Sequence, residues 1–322
     1  MNFVDLSTTT GQTPLREFYL AAGAVFDVST NSPSILAAAR ESFASLGSPP
    51  RSAEVTLRLW MDATVQASPP WPQPYFGGLD HLVYAGFSPH DSLLIDLRRR
   101  RIIGRVSPAL AADDIYWKTV IFPALMGIVG PTAGVTALHC GCSVRDGKGL
   151  LLVGGSGSGK STLALTLAIR GYELLADDWT YFSHHDGRFL AWGLPTTIKL
   201  LPDAVEHFPD LRAQEPSVSL NGELAFNVDP VEAFGVRRAT YCEPNWMVFL
   251  QRQTRTDLSI TEIPPVEAAA RLERNLPVQW PEAVSLRRRT IASLGRCRSW
   301  LLQYSAEPWA VAEAVADLIA QA

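Results

Sequence analysis

Residues 150–162 read Leu-Leu-Leu-Val-Gly-Gly-Ser-Gly-Ser-Gly-Lys-Ser-Thr, an apolar run, a glycine-rich turn and the opening of a helical pattern. From Gly154 the stretch satisfies G-x-x-x-x-G-K-[ST] in full. Leu150 to Val153 predicts a buried strand, and Thr162 to Arg170 predicts a helix closed by Gly171. Strand, glycine turn and helix in that order form the setting in which this wording makes a phosphate-binding loop. Its backbone N–H groups converge on phosphate oxygens, and the helix N-terminus adds partial positive charge. The candidate nucleotide-binding residues are Gly154, Gly155, Ser156, Gly157, Ser158, Gly159, Lys160, Ser161 and Thr162, with Lys160 at the β/γ-phosphates and Ser161 on Mg²⁺. The alternative is a flexible Gly/Ser linker. Glycines, lysine, serine and strand all in register argue against it, so an α/β chain that binds ATP or a similar triphosphate with Mg²⁺ is expected.

At 322 residues and 47% hydrophobic, the chain can bury a large core and suits two domains. A net charge of −4 argues against nucleic acid or an anionic membrane as partner. No apolar run reaches the length of a membrane span, and Met1–Asp5 lacks a basic stretch leading into an apolar core. A soluble cytoplasmic protein is therefore expected, with homo-oligomerisation left open. Cys140, Cys142, Cys242 and Cys297 make no disulfide framework at this size, and Cys140-x-Cys142 reads as two residues on one strand face rather than a metal site.

A smaller α/β domain is expected over residues 1–129. Ser32-Pro33 opens a helix whose stripe Ile35, Ala38, Ala39, Phe43 and Leu46 ends at Gly47. Val55, Leu57 and Leu59 alternate as a strand, Leu93–Leu97 is another, and Arg98–Arg101 reads as a solvated hairpin turn. Residues 108–129 read as helical, kinked or split by Pro123. The second domain, 130–322, begins with a strand over Val135–Val144, and Asp146-Gly147 is a two-residue hairpin signal before the next strand. In that register Arg145 faces Lys148 and His139 faces Gly154, beside the phosphate loop. A hydrogen-bonded structural histidine is the alternative.

After Gly171, Tyr172–Ala176 predicts a strand ending in Asp177-Asp178. Carboxylates at a strand's C-terminal end, one short helix after the loop, stand where Mg²⁺ ligands and bases belong in an α/β fold. Two such close charges should differ in ionisation, one held anionic by metal or Lys160 and the other able to exchange a proton. An exposed acidic turn is the plainer alternative.

Gly154–Thr162, the 171–178 stretch and the upstream His139 together resemble the catalytic domain of the HPr kinase/phosphorylases and their relatives, over residues 135–180. The resemblance implies a P-loop kinase domain of the HPr-kinase/PEP-carboxykinase-like type behind the smaller N-terminal domain. It further implies ATP and Mg²⁺ as cofactors, Asp178 as proton acceptor, Asp177 on the metal side, and His139 and Lys160 as catalytic partners. The Ile-Arg-Gly-x-Gly signature with its glutamate ligand has no counterpart here, and Glu243-Pro244-Asn245 lacks the arginine of the family's Pro-Gly-Arg-Asn motif. The expected activity is therefore transfer of the γ-phosphate to a different hydroxyl acceptor. That acceptor is a serine of a peptide or protein, or a serine-like small molecule. The alternatives are a transport or scaffold P-loop ATPase and a carboxykinase-like enzyme. Arg237-Arg238 is a weaker candidate for the missing arginine, His184-His185-Asp186 reads as a polar turn, and Arg287-Arg288-Arg289 as a solvated run.

Overall fold

Alternation and apolar runs sort the chain into strands that the computed structural model assembles as mixed α/β, with several sheets. It describes residues 12–47, 50, 52–218, 222–254, 258–274, 281–305 and 307–322; Met1–Asp5 thus lies outside them. Two compact units result, Met1–Ala133 and Gly134–Ala322.

The first unit holds β1 (Leu15–Ala21), β2 (Ala24–Thr30), α1 (Pro33–Ser42), β3 (Ala44–Ser45), β4 (Val55–Met61), β5 (Tyr75–Leu79), β6 (Leu82–Gly86), β7 (Ser92–Asp96) and β8 (Arg101–Val106). Their sheet order is β3-β1-β2-β4-β8-β7-β6-β5 among the described residues. Val55, Leu57 and Leu59 face the core as expected, and β7 and β8 form the hairpin around Arg98–Arg100. Helix α1 ends at Ser42, earlier than its apolar stripe suggests. Ala44 pairs with Leu20 of β1, so Phe43 is buried from an extended backbone and Leu46 leaves the helix. The helical stretch after Pro108 is broken twice. Asp113 separates α2 (Pro108–Ala112) from α3 (Asp114–Tyr116), its side chain accepting from the Tyr116 N–H at 3.0 Å. A π-turn over Trp117–Ile121 then precedes α4 (Phe122–Val129), where Pro123 needs no N–H partner.

The second unit begins with β9 (Thr136–Arg145) and β10 (Lys148–Val153), a hairpin whose Asp146 and Gly147 both take positive φ, 53° and 75°, as a type I′ turn requires. Next come α5 (Lys160–Ile169), β11 (Glu173–Ala176), β12 (Trp179–His185), β13 (Arg188–Trp192), β14 (Ile198–Leu200), β15 (Ser217–Val218) and β16 (Leu224–Val228). They are succeeded by α6 (Pro230–Phe234), β17 (Arg237–Arg238), β18 (Tyr241–Arg252), β19 (Ser259–Glu262), α7 (Pro265–Arg274), α8 (Pro281–Leu294), β20 (Arg298–Tyr304) and α9 (Pro308–Ala320). Strand β10 lies between β9, antiparallel, and β18, parallel, and β18 runs parallel to β20. Period-two alternation divides the core between two faces. Leu150, Leu152, Val248 and Leu302 pack with α5 and α9 on one side; Leu151, Val153, Cys140 and Cys142 pack with α7 and α8 on the other. All four cysteines are free and buried, in accord with the strand-face reading of Cys140 and Cys142. Arg287 departs from expectation: its place on α8 turns it inward, only 4% exposed, while Arg288 and Arg289 face solvent. Among the described residues no helix is long and apolar enough to cross a membrane.

Candidate active site

Strands β10 and β11 both run antiparallel to β9, on its opposite edges, and so run parallel to each other. Val153 stands opposite Cys140 and Ala176 opposite Cys142, which ends both strands at nearly the same level of β9. The segments leaving the two strands must therefore emerge side by side. They are the glycine-rich loop after β10 and Asp177-Asp178 after β11. The register of the hairpin is the one expected, Arg145 opposite Lys148 and, at its end, Val153 opposite Cys140, so His139 is the next residue of β9 as Gly154 is the next after β10.

The aspartates are not a simple strand end. Strand β12 continues along the same edge of β9 in the same register, Ala176 opposite Cys142 and Trp179 opposite His139, so Asp177 and Asp178 occupy a gap in the ladder between two strands sharing one neighbour. Gly141 lies beneath that gap. A Cβ there would stand 2.9 Å from the Asp177 carbonyl oxygen, and Thr180 Oγ1 anchors the far side by donating to the Cys140 carbonyl at 2.7 Å.

Successive strand residues point to opposite sides, and the two carboxylates meet different environments. Asp177 is buried; its Oδ2 accepts from the Lys199 backbone N–H at 3.2 Å, while Oδ1 has no hydrogen-bond partner among the described residues. Burial lifts its pKa to about 6, against the opposing pull of the Ser161 hydroxyl and the Lys199 N–H. Asp178 is 58% exposed, and His139 Nε2–H donates to its Oδ1 at 2.5 Å. Surrounding protein pushes its pKa up, but the His139 hydrogen bond and the charges of His139, Lys160 and Lys199 prevail and hold it below the usual carboxylate range. His139 in turn lies 5.4 Å from the Trp179 ring.

Lys160 opens α5 and is buried, its Nζ donating to the carbonyls of Gly154 and Gly155 at 2.9 and 3.1 Å. Burial lowers its pKa, while Asp178 and Asp177 pull the other way. Together His139, Ser156–Thr162, Asp177 and Asp178 line one open cleft, the loop forming one wall and the carboxylates another. Gly154 and Gly155 border a neighbouring groove with Arg271 and Arg274.

A magnesium ion fits this donor set. Ser161 and Asp177 offer two hard oxygens side by side, and the orphaned Oδ1 is a buried acceptor lacking a donor. Magnesium keeps several waters and phosphate oxygens in its shell, so one or two protein ligands suffice. Among the described residues no three His, Cys, Asp or Glu gather as a self-sufficient metal site, and His184-His185-Asp186 ends a strand and enters a turn.

Sequence reasoning missed several contributors. Lys199, Asp203, Glu223 and Arg252 also line the cleft, with Lys199 Nζ donating to Glu223 Oε2 at 2.6 Å. They arrive from β14, the turn after it, the segment before β16 and the end of β18, and no local motif marks them. Arg238, the weaker arginine candidate, donates to the Thr196 carbonyl at 2.5 Å; it lies near enough to Asp177 for their charges to interact, but does not line the cleft.

No family model matches the chain. It is 36% identical over 83 residues to the HPr kinase/phosphorylase of Bacillus cytotoxicus, a match covering 26% of this chain and 25% of that protein. The chain thus spans about a quarter of the length of the curated relative it matches. Among solved structures, the Hpr(Ser) kinase/phosphatase of Coxiella burnetii is matched at 15% identity over 58% of this chain and 97% of that one. Its TM-score is 0.30, too low to carry an argument.

Proposed function

We propose that this chain, a divergent relative of the HPr kinase/phosphorylases, is an ATP-dependent phosphotransferase. It moves the γ-phosphate to a hydroxyl, on a serine of a peptide or protein or on a serine-like small molecule. The catalytic machinery lies in the unit from Gly134 onward, a P-loop kinase domain of the HPr-kinase/PEP-carboxykinase-like type working in the cytoplasm. The preceding unit recognises the acceptor or a partner.

One observation carries the reading. A glycine-rich loop with its lysine, a buried carboxylate beside a serine hydroxyl, and an exposed anionic carboxylate bonded to histidine all line the same cleft. Phosphoryl transfer asks for little covalent chemistry from a protein; it asks for positioning and for positive charge around the transferring group. In this reading the loop N–H groups and Lys160 hold the β- and γ-phosphates. Ser161 and Asp177 hold Mg²⁺, which neutralises charge on the phosphate oxygens. Asp178, ionised at neutral pH, orients the acceptor hydroxyl and takes its proton, and His139 fixes the direction of that carboxylate. A plain ATPase would need no such exposed base aimed at open cleft.

The test is phosphorylation of a pooled set of serine-containing peptides, free serine and serine-like metabolites, read by mass spectrometry with Mg·ATP. Wild type should form a phosphoester, and Asp178→Asn should form it about 10²–10⁴-fold more slowly at similar ATP affinity. Equal rates for the two proteins would remove Asp178 as the base.

A further inference from the structure

The sheet of the first unit has a covered face and a bare one. Along β6, β7 and β8 alternate residues enter the core, among them Ala85, Leu93, Ile95 and Ile102. The residues between them point the other way. Register sets Tyr84 opposite Leu94, Leu94 opposite Ile103 and Ile103 opposite Arg58, one straight row across β6, β7, β8 and β4. Tyr84, Leu94 and Ile103 are 46%, 48% and 50% exposed, and Leu79, at the β5 end of the same face, is 81% exposed. Single apolar side chains on a surface need no explanation, whereas a contiguous apolar patch marks a contact.

Arginines frame the row. Arg101 and Arg105 stand two residues to either side of Ile103 on β8, and Arg58 closes the row on β4; all three are exposed. The basic run Arg98–Arg101 thus begins as a solvated turn and ends on this face. Arg105 lies 3.8 Å from Asp62, but Arg58 and Arg101 have no ion-pair partner among the described residues. The carboxylates on the same side of the sheet are already engaged, Asp27 by Arg16 at 2.8 Å and Asp96 by the Arg99 backbone N–H at 2.9 Å.

An apolar row between unpaired cations fits apolar side chains set between carboxylates. A second copy of the chain has no uncommitted carboxylate on this face to offer. Strand β5 is an uncharged edge, but pairing of two copies through it would lengthen the sheet and leave the row bare. A net charge of −4 opposes nucleic acid and anionic membrane.

We propose that the open face of β6, β7, β8 and β4 docks an acidic segment of a partner protein. Its apolar side chains pack on Tyr84, Leu94 and Ile103, and its carboxylates meet Arg58 and Arg101. The assignment rests on the reading of the first unit as the part that recognises the acceptor or a partner, and adds the surface and the chemistry it selects.

Random dodecapeptides displayed on phage, selected on the intact chain at physiological salt, test it, with enriched peptides synthesised and titrated by calorimetry. Enriched sequences should carry Asp or Glu flanking Leu, Ile or Phe. Arg58→Glu, Arg101→Glu and Leu94→Ser should each weaken such a peptide at least about tenfold and leave melting and Mg·ATP affinity near wild type. Selection of no peptide, of peptides without acidic residues, or of peptides that bind every variant as well as wild type overturns the assignment. So does a wild-type dimer, seen by sedimentation, that Leu94→Ser converts to monomer. Binding of phosphatidylserine vesicles or single-stranded DNA that Arg58→Glu abolishes overturns it too. A wild type that selects acidic peptides at this face yet binds no Mg·ATP would keep the surface and remove the phosphotransfer reading.

Discussion

Asp177 and Asp178 are neighbours in sequence with opposite electrostatic fates, because one points into protein and the other toward histidine and open cleft. Burial sets Asp177 near 6, whereas an unfolded chain would hold it near 3.8. Between those values the native state binds the extra proton, so its contribution to stability falls as pH rises from about 4 to about 6 and stays low above that. Asp177→Asn removes the buried charge. Without Mg²⁺ or nucleotide it should melt a few degrees above wild type at pH 8, a gain on the order of 1–3 kcal/mol, and close to wild type at pH 5. A wild type that melts the same at both pH values, with no gain from the substitution, would contradict the burial argument. His139 is only partly buried, 28% exposed, and its ring nitrogen bonds to Asp178. His139→Asn should therefore leave melting nearly unchanged and lower acceptor phosphorylation by roughly 10–10²-fold, less than loss of the base itself. A large drop in melting temperature with normal turnover would make the histidine structural. The identities and neighbourhood of these residues were readable, since a two-residue turn dictates register and register dictates which residue faces the loop. That the two should point to opposite sides was readable too; which one is buried was not, because that depends on what covers each side of the strand.

The gap in the ladder at the aspartates is a property of elements. Strands β11 and β12 share one edge of β9, and the backbone between them approaches closely because Gly141 has no side chain there. Gly141→Ala places a methyl 2.9 Å from a backbone oxygen that has no rotamer to yield. The variant should lose about 1–3 kcal/mol of stability and most of its phosphotransfer, since both carboxylates shift with their backbone. Denaturant unfolding beside an activity assay checks this; an unaffected variant would mean the aspartate backbone is not held in place by the close approach at Gly141. Elements shaped by neighbours rather than by local pattern escaped the sequence elsewhere too. Helix α1 yields its last apolar residues to strand pairing at Ala44, and the stretch after Pro108 breaks at Asp113, whose side chain finds an N–H to cap. Arg287 reads as part of a solvated run until α8 is laid against the sheet and turns it inward. The strongly patterned pieces, β4, β7, the 136–153 hairpin and α5, were all legible because periodicity and turn chemistry agreed in each.

At the scale of the whole chain, two compact units divide the labour proposed for it. The second places chemistry-bearing groups at one level of a sheet covered by helices on both faces, so the site is held by a rigid core rather than by loops alone. The cleft residues that sequence could not find, Lys199, Asp203, Glu223 and Arg252, come from four separate segments, two of them on or beside the small β14-β16-β15 sheet, and meet only when the unit is folded. The proposed activity depends throughout on the loop from Gly154 to Thr162 holding a triphosphate. Calorimetric titration of wild type and Lys160→Ala with Mg·ATP tests this most directly. Wild type should bind saturably and one-to-one, and the variant at least about tenfold more weakly, the loss of one charged contact to phosphate. Undiminished affinity in Lys160→Ala, or no binding by wild type, would contradict it.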